Sequence, residues 1–233
     1  MITSAFHIHT HHSYDSFTRP QWLVDRAIRL GIDSLAVTDH DTLAGALETK
    51  RCATKTKLNV IVGVEYATDL GDIIGLFLHE EIQSRHAFEV IEAIRRQGGL
   101  SILPHPFHHH KQVEDLAQSV DMIEVFNARI RPDRNEKAVA LAAWAKKPAI
   151  IGSDAHFLNE IDNAIIYFDT SGPLTKDVIL QTAQQWKVTY TSVFKTQCSQ
   201  LVKGFKKRDP ILLRRQLYTM LAENVIKLKN KFV

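Results

Sequence analysis

Short apolar, β-branched runs alternate with longer helical patterns through most of this 233-residue chain, and that alternation constrains the fold more than any other feature. Repeated strand-then-helix units imply an α/β class built on a parallel sheet. Strands are expected at 2–8, 34–38, 59–65, 73–78, 100–103, 121–126, 148–152 and 164–168, with helices near 20–30, 43–55, 84–97, 133–146 and 174–186. The first helix is the best signalled: Thr18 can cap it, Pro20 suits its first turn, and Gly31 can close it in a left-handed conformation. Gly98-Gly99 similarly ends the third helix. One boundary is expected near 192–195, dividing a domain over 1–194 from a C-terminal extension over 195–233. There Asp209-Pro210 opens a last helix, 210–229, with Ile211, Tyr218, Leu221, Val225 and Leu228 on one face.

The ends of the strands carry the chemistry. "SAFHIH" ends on His7 and His9, "SLAVTDHD" on Asp39, His40 and Asp41, and "NVIVGVE" on Glu65. "LSILPHP" ends on His105, "MIEVFN" on Glu124 and Asn127, and "AIIGSDAH" on Asp154 and His156. In a parallel barrel or sheet all these ends lie on one side, where such folds place their active sites. His7 and His9, two apart on a strand, present their side chains on the same face. Imidazoles mixed with carboxylates suit Zn, Mn or Fe rather than the all-oxygen sites of Ca or Mg. His7, His9, Asp15, His40, Glu65, His105, Asp154 and His156 exceed what one ion needs, so two or three divalent ions are expected.

Composition excludes other classes. No apolar run approaches the roughly 18 residues of a membrane span, and the start "MITSAFHIHT" lacks the pattern of a secretory signal. Cys52 and Cys198 form no paired motif, which fits a reducing compartment, and a cytoplasmic location is expected. The net charge of +3 is uneven: ten Lys/Arg against Asp209 and Glu223 give +8 over 195–233, leaving −5 for the remainder. Three roles follow for the basic tail: its helix docks on the barrel or on a second copy, or its cations meet a nucleic acid, or, least favoured, they meet a membrane surface.

At these residues the chain resembles the polymerase-and-histidinol-phosphatase (PHP) family of metal-dependent phosphoesterases. The matching segments are "HIHTHHSYDS" at 7–16, "AVTDHDT" at 36–42, "GVE" at 63–65, "LPHPF" at 103–107, "IEVFNAR" at 123–129 and "GSDAH" at 152–156. The resemblance spans about residues 1–170 and implies a distorted (β/α)7 barrel with a trinuclear site. By the family's pattern, one ion takes His7, His9, Glu65 and Asp154. A second shares Glu65 and adds His105; a third takes Asp15, His40 and His156. The chain departs from the pattern at Asp72, where many members have histidine, and Asp72 either ligates in its stead or leaves the second ion weak or absent.

The implied reaction is hydrolysis of a phosphate ester by a metal-activated hydroxide. His40, Asp154 and His156 are the expected catalytic groups, and Arg19 and Arg129 the candidate phosphate clamps, each against the alternative of an ordinary surface arginine. Either Glu124 or Asn127 is expected to orient a ligand histidine, or only to make a strand-end hydrogen bond. Asp39 and Asp41 rank as supporting groups ahead of ligands. His11 and His12 fall where the pattern accepts varied residues, and His108-His109-His110 are expected in a solvated loop, with lining of the pocket mouth as the alternative. The substrate is a phosphorylated small molecule, a nucleotide or an oligonucleotide end, with histidinol phosphate as the alternative. A noncatalytic binding module is the rival of another class.

Overall fold

The computed structural model describes residues 1–182 and 184–229, the last seven as backbone alone. Nine strands form one curled sheet: β1 (Ile2–Ile8), β2 (Ser34–Val37), β3 (Asn59–Thr68), β4 (Gly71–Leu76), β5 (Leu100–Leu103), β6 (Met122–Asn127), β7 (Ala149–Gly152), β8 (Ala164–Phe168) and β9 (Gln184–Val188). Their order is β7-β6-β5-β4-β3-β2-β1-β8-β9. The chain beyond β7 turns back on β1, where Ser153 N–H donates to Phe6 O at 3.0 Å, Ala155 N–H to His7 O at 3.1 Å and His9 N–H to Ala155 O at 2.9 Å. The result is a nearly closed α/β barrel with C-terminal helices.

Helices α1 (Pro20–Arg29), α2 (Ala44–Ala53), α3 (Ala87–Arg96), α4 (Val113–Ser119) and α5 (Pro132–Ala145) connect the strands. Periodicity explains their placement: α1 buries Pro20, Leu23, Val24 and Ala27, and α3 buries Ala87, Val90, Ile91 and Ile94, each an i, i+3, i+4, i+7 stripe. Each large aliphatic side chain so buried contributes roughly 1.5–3 kcal/mol. Gly31 (φ +67°) and Gly98 (φ +70°) take the left-handed conformations expected of them.

Three expectations are corrected. The sheet is mixed rather than parallel, because β4 runs antiparallel to both β3 and β5, and β8 is antiparallel to β1. The expected helix 174–186 is a short helix α6 (Lys176–Gln181) followed by β9, an edge strand pairing antiparallel with β8; Thr182 leaves the helix in an extended conformation. Trp186 and Val188 suit a strand better than a helix. Thr18 does not cap α1: Arg19 is the N-cap residue, without a side-chain bond, and the Thr18 hydroxyl donates to His156 O at 3.1 Å.

The C-terminal segment forms two packed helices, α7 (Val193–Lys206) and α8 (Pro210–Lys229). Asp209 caps α8 as expected, accepting from Ile211 N–H at 3.0 Å and Leu212 N–H at 2.9 Å. The expected docking of its apolar face on the barrel is absent among the described side chains. Ile211, Tyr218 and Leu221 are 79%, 75% and 66% exposed, while Val225 and Leu228 lie outside the described side chains. Instead α7 touches the barrel loops, and α8 packs Leu213 over Gly204 of α7.

Candidate metal centre

One rim of the barrel gathers the strand-end residues. Glu65, on β3 and 1% exposed, stands at the centre. Its Oε2 lies 3.3 Å from His7 Nε2, 3.3 Å from His9 Nε2 and 3.2 Å from His40 Nδ1, and its Oε1 lies 3.0 Å from His105 Nε2. Asp154 Oδ1 sits 3.3 Å from His9 Nε2, 3.7 Å from His7 Nε2 and 3.4 Å from His156 Nδ1. Asp15 Oδ2 bridges His40 Nε2 at 3.3 Å and His156 Nε2 at 3.2 Å. Asp72 joins Glu65 and His105 in a further grouping. It reaches this rim because β4 runs back from it: Asp72 pairs with Ala67 two residues beyond Glu65, so both carboxylates leave the same face.

Backbone conformation helps the convergence. His7 (φ +61°), His105 (φ +30°) and Asp154 (φ +47°) all occupy the left-handed region, and the β1–β2 register shifts between Ala5 and Ile8. Non-glycine residues there cost of order 1–3 kcal/mol each and cluster where a site over-determines them. The simple alternation expected of His7 and His9 is therefore interrupted at His7, yet the two rings still meet, with centroids 5.2 Å apart.

The outer hydrogen bonds fix the tautomers. His7 Nδ1 faces Glu124 Oε1 at 2.8 Å. His9 Nδ1 faces Ser13 Oγ at 3.0 Å, and that hydroxyl donates to Asp39 Oδ1 at 2.7 Å, so it accepts from the imidazole. The Nε2 lone pair of each histidine thus points inward. Asp39 also accepts from Thr10 N–H and Thr10 Oγ1, each at 2.6 Å, and is an anchor of the loop rather than a ligand. Glu124 accepts besides from His105 N–H at 2.9 Å and Asn127 Nδ2 at 3.0 Å; Asn127 also reaches Asp154 Oδ2 at 3.3 Å. Glycine is required behind this array, since a Cβ on Gly152 would lie 1.9 Å from Glu124 Oε1.

Glutamine at 124 would have to present its amide N–H to a donor, because every group around that carboxylate donates. Glu124→Gln is expected to weaken metal binding by ~10–100-fold, the usual effect of disturbing a ligand's orienting partner. Competitive titration with a chromogenic chelator checks it.

Burial opposes ionisation of Glu65, yet His7 and His40 hold its carboxyl well below the ordinary carboxylate range. Burial likewise opposes charge on Asp154, which His7 and His9 hold low. Conversely, burial depresses His40 and His105, but the carboxylates outweigh it and raise both to about 9: Glu65 and Asp15 around His40, Glu65 and Asp72 around His105. Burial and the neighbouring His156 lower His9 to about 4. Protons held on His40 and His105 below about pH 9 must leave when a cation binds. Metal affinity is therefore expected to rise with pH towards about 9 and to fall as pH drops, with proton release visible as a buffer-dependent binding heat in calorimetry.

The donor set fits divalent cations. Ligands at ~2.0–2.1 Å from one ion stand ~3.0–3.4 Å apart, which is the spacing of most of these nitrogen–oxygen pairs. His7 Nε2, His9 Nε2, His40 Nδ1 and Asp15 Oδ1 are buried without a hydrogen-bond partner. Such orphaned inward atoms are costly unless a cation completes them.

Asp15, His40, Glu65, Asp72, His105, Asp154 and His156 floor a cavity of about 400 Å³. Arg129 lies in its wall with its charge already matched, donating to Glu160 Oε2 at 2.7 Å and Ser199 Oγ at 2.8 Å. Arg19 is not brought there; its guanidinium lies over the Trp22 ring at 5.1 Å. The expected solvated loop is in part cavity wall: His108 and His109 line it, and His110 Nε2 meets Asp72 O at 2.9 Å. His11 and His12 turn aside, His12 Nε2 meeting Glu48 Oε2 at 2.6 Å. Sequence reasoning missed the contribution of α7, which adds Thr196, Ser199, Gln200 and Lys203 to the wall. Its basic run was visible, its destination was not. A larger cleft of about 770 Å³ beside α3, lined by His79 among others, holds none of the metal-type groups above.

A family model for the PHP domain matches residues 5–231. The chain belongs to the PHP domain family. It is 39% identical over 141 residues to an uncharacterized protein of Methanocaldococcus jannaschii, covering 54% of this chain and 82% of the relative. It is 36% identical over 69 residues to a 5'-3' exoribonuclease of Haemophilus influenzae, covering 29% of this chain and 25% of that enzyme. Among solved structures, a protein from Bifidobacterium adolescentis, provisionally assigned as a metal-dependent phosphoesterase, superposes with a TM-score of 0.56 at 17% identity, covering 66% of this chain and 87% of that one. That likeness bears on the fold. No helix among the described residues is long and apolar enough to cross a membrane.

Proposed function

We propose that this PHP-domain protein hydrolyses phosphate esters with two or three divalent cations held by His7, His9, Asp15, His40, Glu65, Asp72, His105, Asp154 and His156. The observation that carries the reading is the buried Glu65 carboxylate, faced by four imidazoles at 3.0–3.3 Å on the floor of an open cavity. Bound Mn, Zn or Fe supplies Lewis acidity, which makes water a competent nucleophile near neutral pH and offsets phosphoryl charge. The protein's own groups do the rest. Glu124 and Ser13 hold His7 and His9 in the tautomer that faces inward, and Asn127 steadies Glu124 and Asp154. His156 Nδ1, within 2.8 Å of Asp154 O, donates there and leaves Nε2 towards Asp15.

A nucleotide or oligonucleotide end is the substrate class with most support. Lys203 lines the cavity, and the Lys203 and Lys207 ammonium groups lie 4.8 and 3.8 Å from the Tyr14 ring centroid. Neither makes an ion pair among the described residues, so both remain available to phosphate. The exoribonuclease relative points the same way. The test is a panel of phosphomonoesters and phosphodiesters with Mn, Zn and Fe. Metal-dependent release of phosphate or nucleotide, abolished by His7→Ala with the fold kept, is the expected result. No turnover of any ester by the replete protein would overturn the reading and favour a binding module.

A further inference from the structure

Lys206 of α7 makes an unusual contact. Its ammonium donates to three backbone carbonyls of one N-terminal loop: His11 O at 2.6 Å, Ser13 O at 2.7 Å and Ser16 O at 2.7 Å. All three ammonium protons are thereby used, and the residues joined are 190 to 195 positions apart in sequence. Lys206 supplies the only hydrogen bond to any of those carbonyls among the described residues. The loop between them carries Asp15, and Ser13, whose hydroxyl orients His9 and accepts from His40 N–H at 3.0 Å.

Two further contacts run from α7 to the same side of the centre. Lys203 and Lys207 lie over Tyr14, whose ring stacks on His40 with centroids 4.4 Å apart and planes 1° from parallel. Ser199 Oγ accepts from Arg129, which pairs with Glu160; the same Glu160 oxygen accepts from His156 N–H at 2.9 Å. So α7 reaches Asp15 through the loop carbonyls, His40 through Tyr14 and His156 through a buried ion pair. Of the other ligands only His9 is reached, through the Ser13 hydroxyl; His7, Glu65 and His105 are held by the strands and by Glu124.

We propose that Lys206 is a positioning residue for one ion of the centre, the one facing Asp15, His40 and His156, so that α7 helps assemble this ion's ligands while His7, Glu65 and His105 are placed by the barrel. The inference rests on the metal-centre reading given above. Its physical content is that three converging carbonyls form a small cage that only a compact cation fills. Arginine, a planar fork, cannot direct its donors to three points around one centre.

The experiment counts bound ions per chain in the full-length protein by elemental analysis after loading with Mn²⁺ and gel filtration. Lys206→Met is expected to hold about one ion fewer than the unaltered protein, or to bind that ion at least ~10-fold more weakly, with the remaining ions and the fold unchanged. Amide exchange at residues 11–16 should quicken. Lys206→Arg should restore the ion only in part, and methylammonium added to Lys206→Ala should restore it further by occupying the vacated cage. An unaltered ion count together with unaltered affinity for every ion in Lys206→Met would overturn the proposal, as would a proportional loss of every ion. Fewer than two ions in the unaltered protein would instead defeat the metal-centre reading itself, and the proposal with it.

Discussion

Glu65→Gln is expected to lower phosphate-ester turnover by at least ~10³-fold while leaving the barrel folded. Glutamine preserves the volume of a residue that is 1% exposed, so packing changes little. What changes is charge. The two oxygens of Glu65 face His7, His9, His40 and His105, which makes this carboxylate common to the donor groups on both sides of the centre. A neutral amide there weakens cation binding on both sides together, and a barrier rise of ~4 kcal/mol already amounts to ~10³-fold. Steady-state turnover beside ion content checks the point. Near-normal activity in Glu65→Gln would mean that the cluster is not the catalytic centre.

Glu160→Ala is expected to produce the largest loss of stability. Glu160 is fully buried and accepts from Arg129 at 2.7 Å, His156 N–H at 2.9 Å and Phe157 N–H at 3.1 Å. Removing it strands a guanidinium whose side chain is only 5% exposed. Breaking one side of a buried pair costs ~3–5 kcal/mol, which at ~2–4 °C per kcal/mol for a chain of this size lowers Tm by ~6–20 °C. Arg129→Met added to Glu160→Ala should recover the part of the loss due to the stranded guanidinium, but not the part due to the His156 and Phe157 N–H groups left without an acceptor. Thermal melts of the single and double variants check both statements. A loss under ~1 kcal/mol in Glu160→Ala would show that the guanidinium finds water instead.

Much of this was legible in the sequence, for physical reasons. Strands and ligands declared themselves because six of the apolar β-branched runs stop on polar groups, and a buried strand can tolerate such groups only at its end. Asp72 is the instructive residue. Its place was readable only through resemblance, since strand-end logic assumes parallel strands and β4 is antiparallel, so its beginning rather than its end reaches the site. The left-handed backbone at His7, His105 and Asp154 leaves no sequence signal, because these are not glycines. Residues 184–186 of β9 fall within the expected helix because an edge strand's pairing partner, β8, is not visible locally. Arg129 and Lys206 show the limit for charges. Both are cations near site motifs or in a basic run, yet one is spent on Glu160 and the other on three carbonyls, and only tertiary packing decides such pairings.

The centre itself is tested most directly by the number of divalent ions per chain in protein loaded with Mn²⁺, Zn²⁺ or Fe²⁺ and freed of excess metal. On the proposed reading, the clustered donors around Glu65, Asp154 and Asp15 hold about two to three ions. Fewer than two under replete conditions would contradict the metal centre described here.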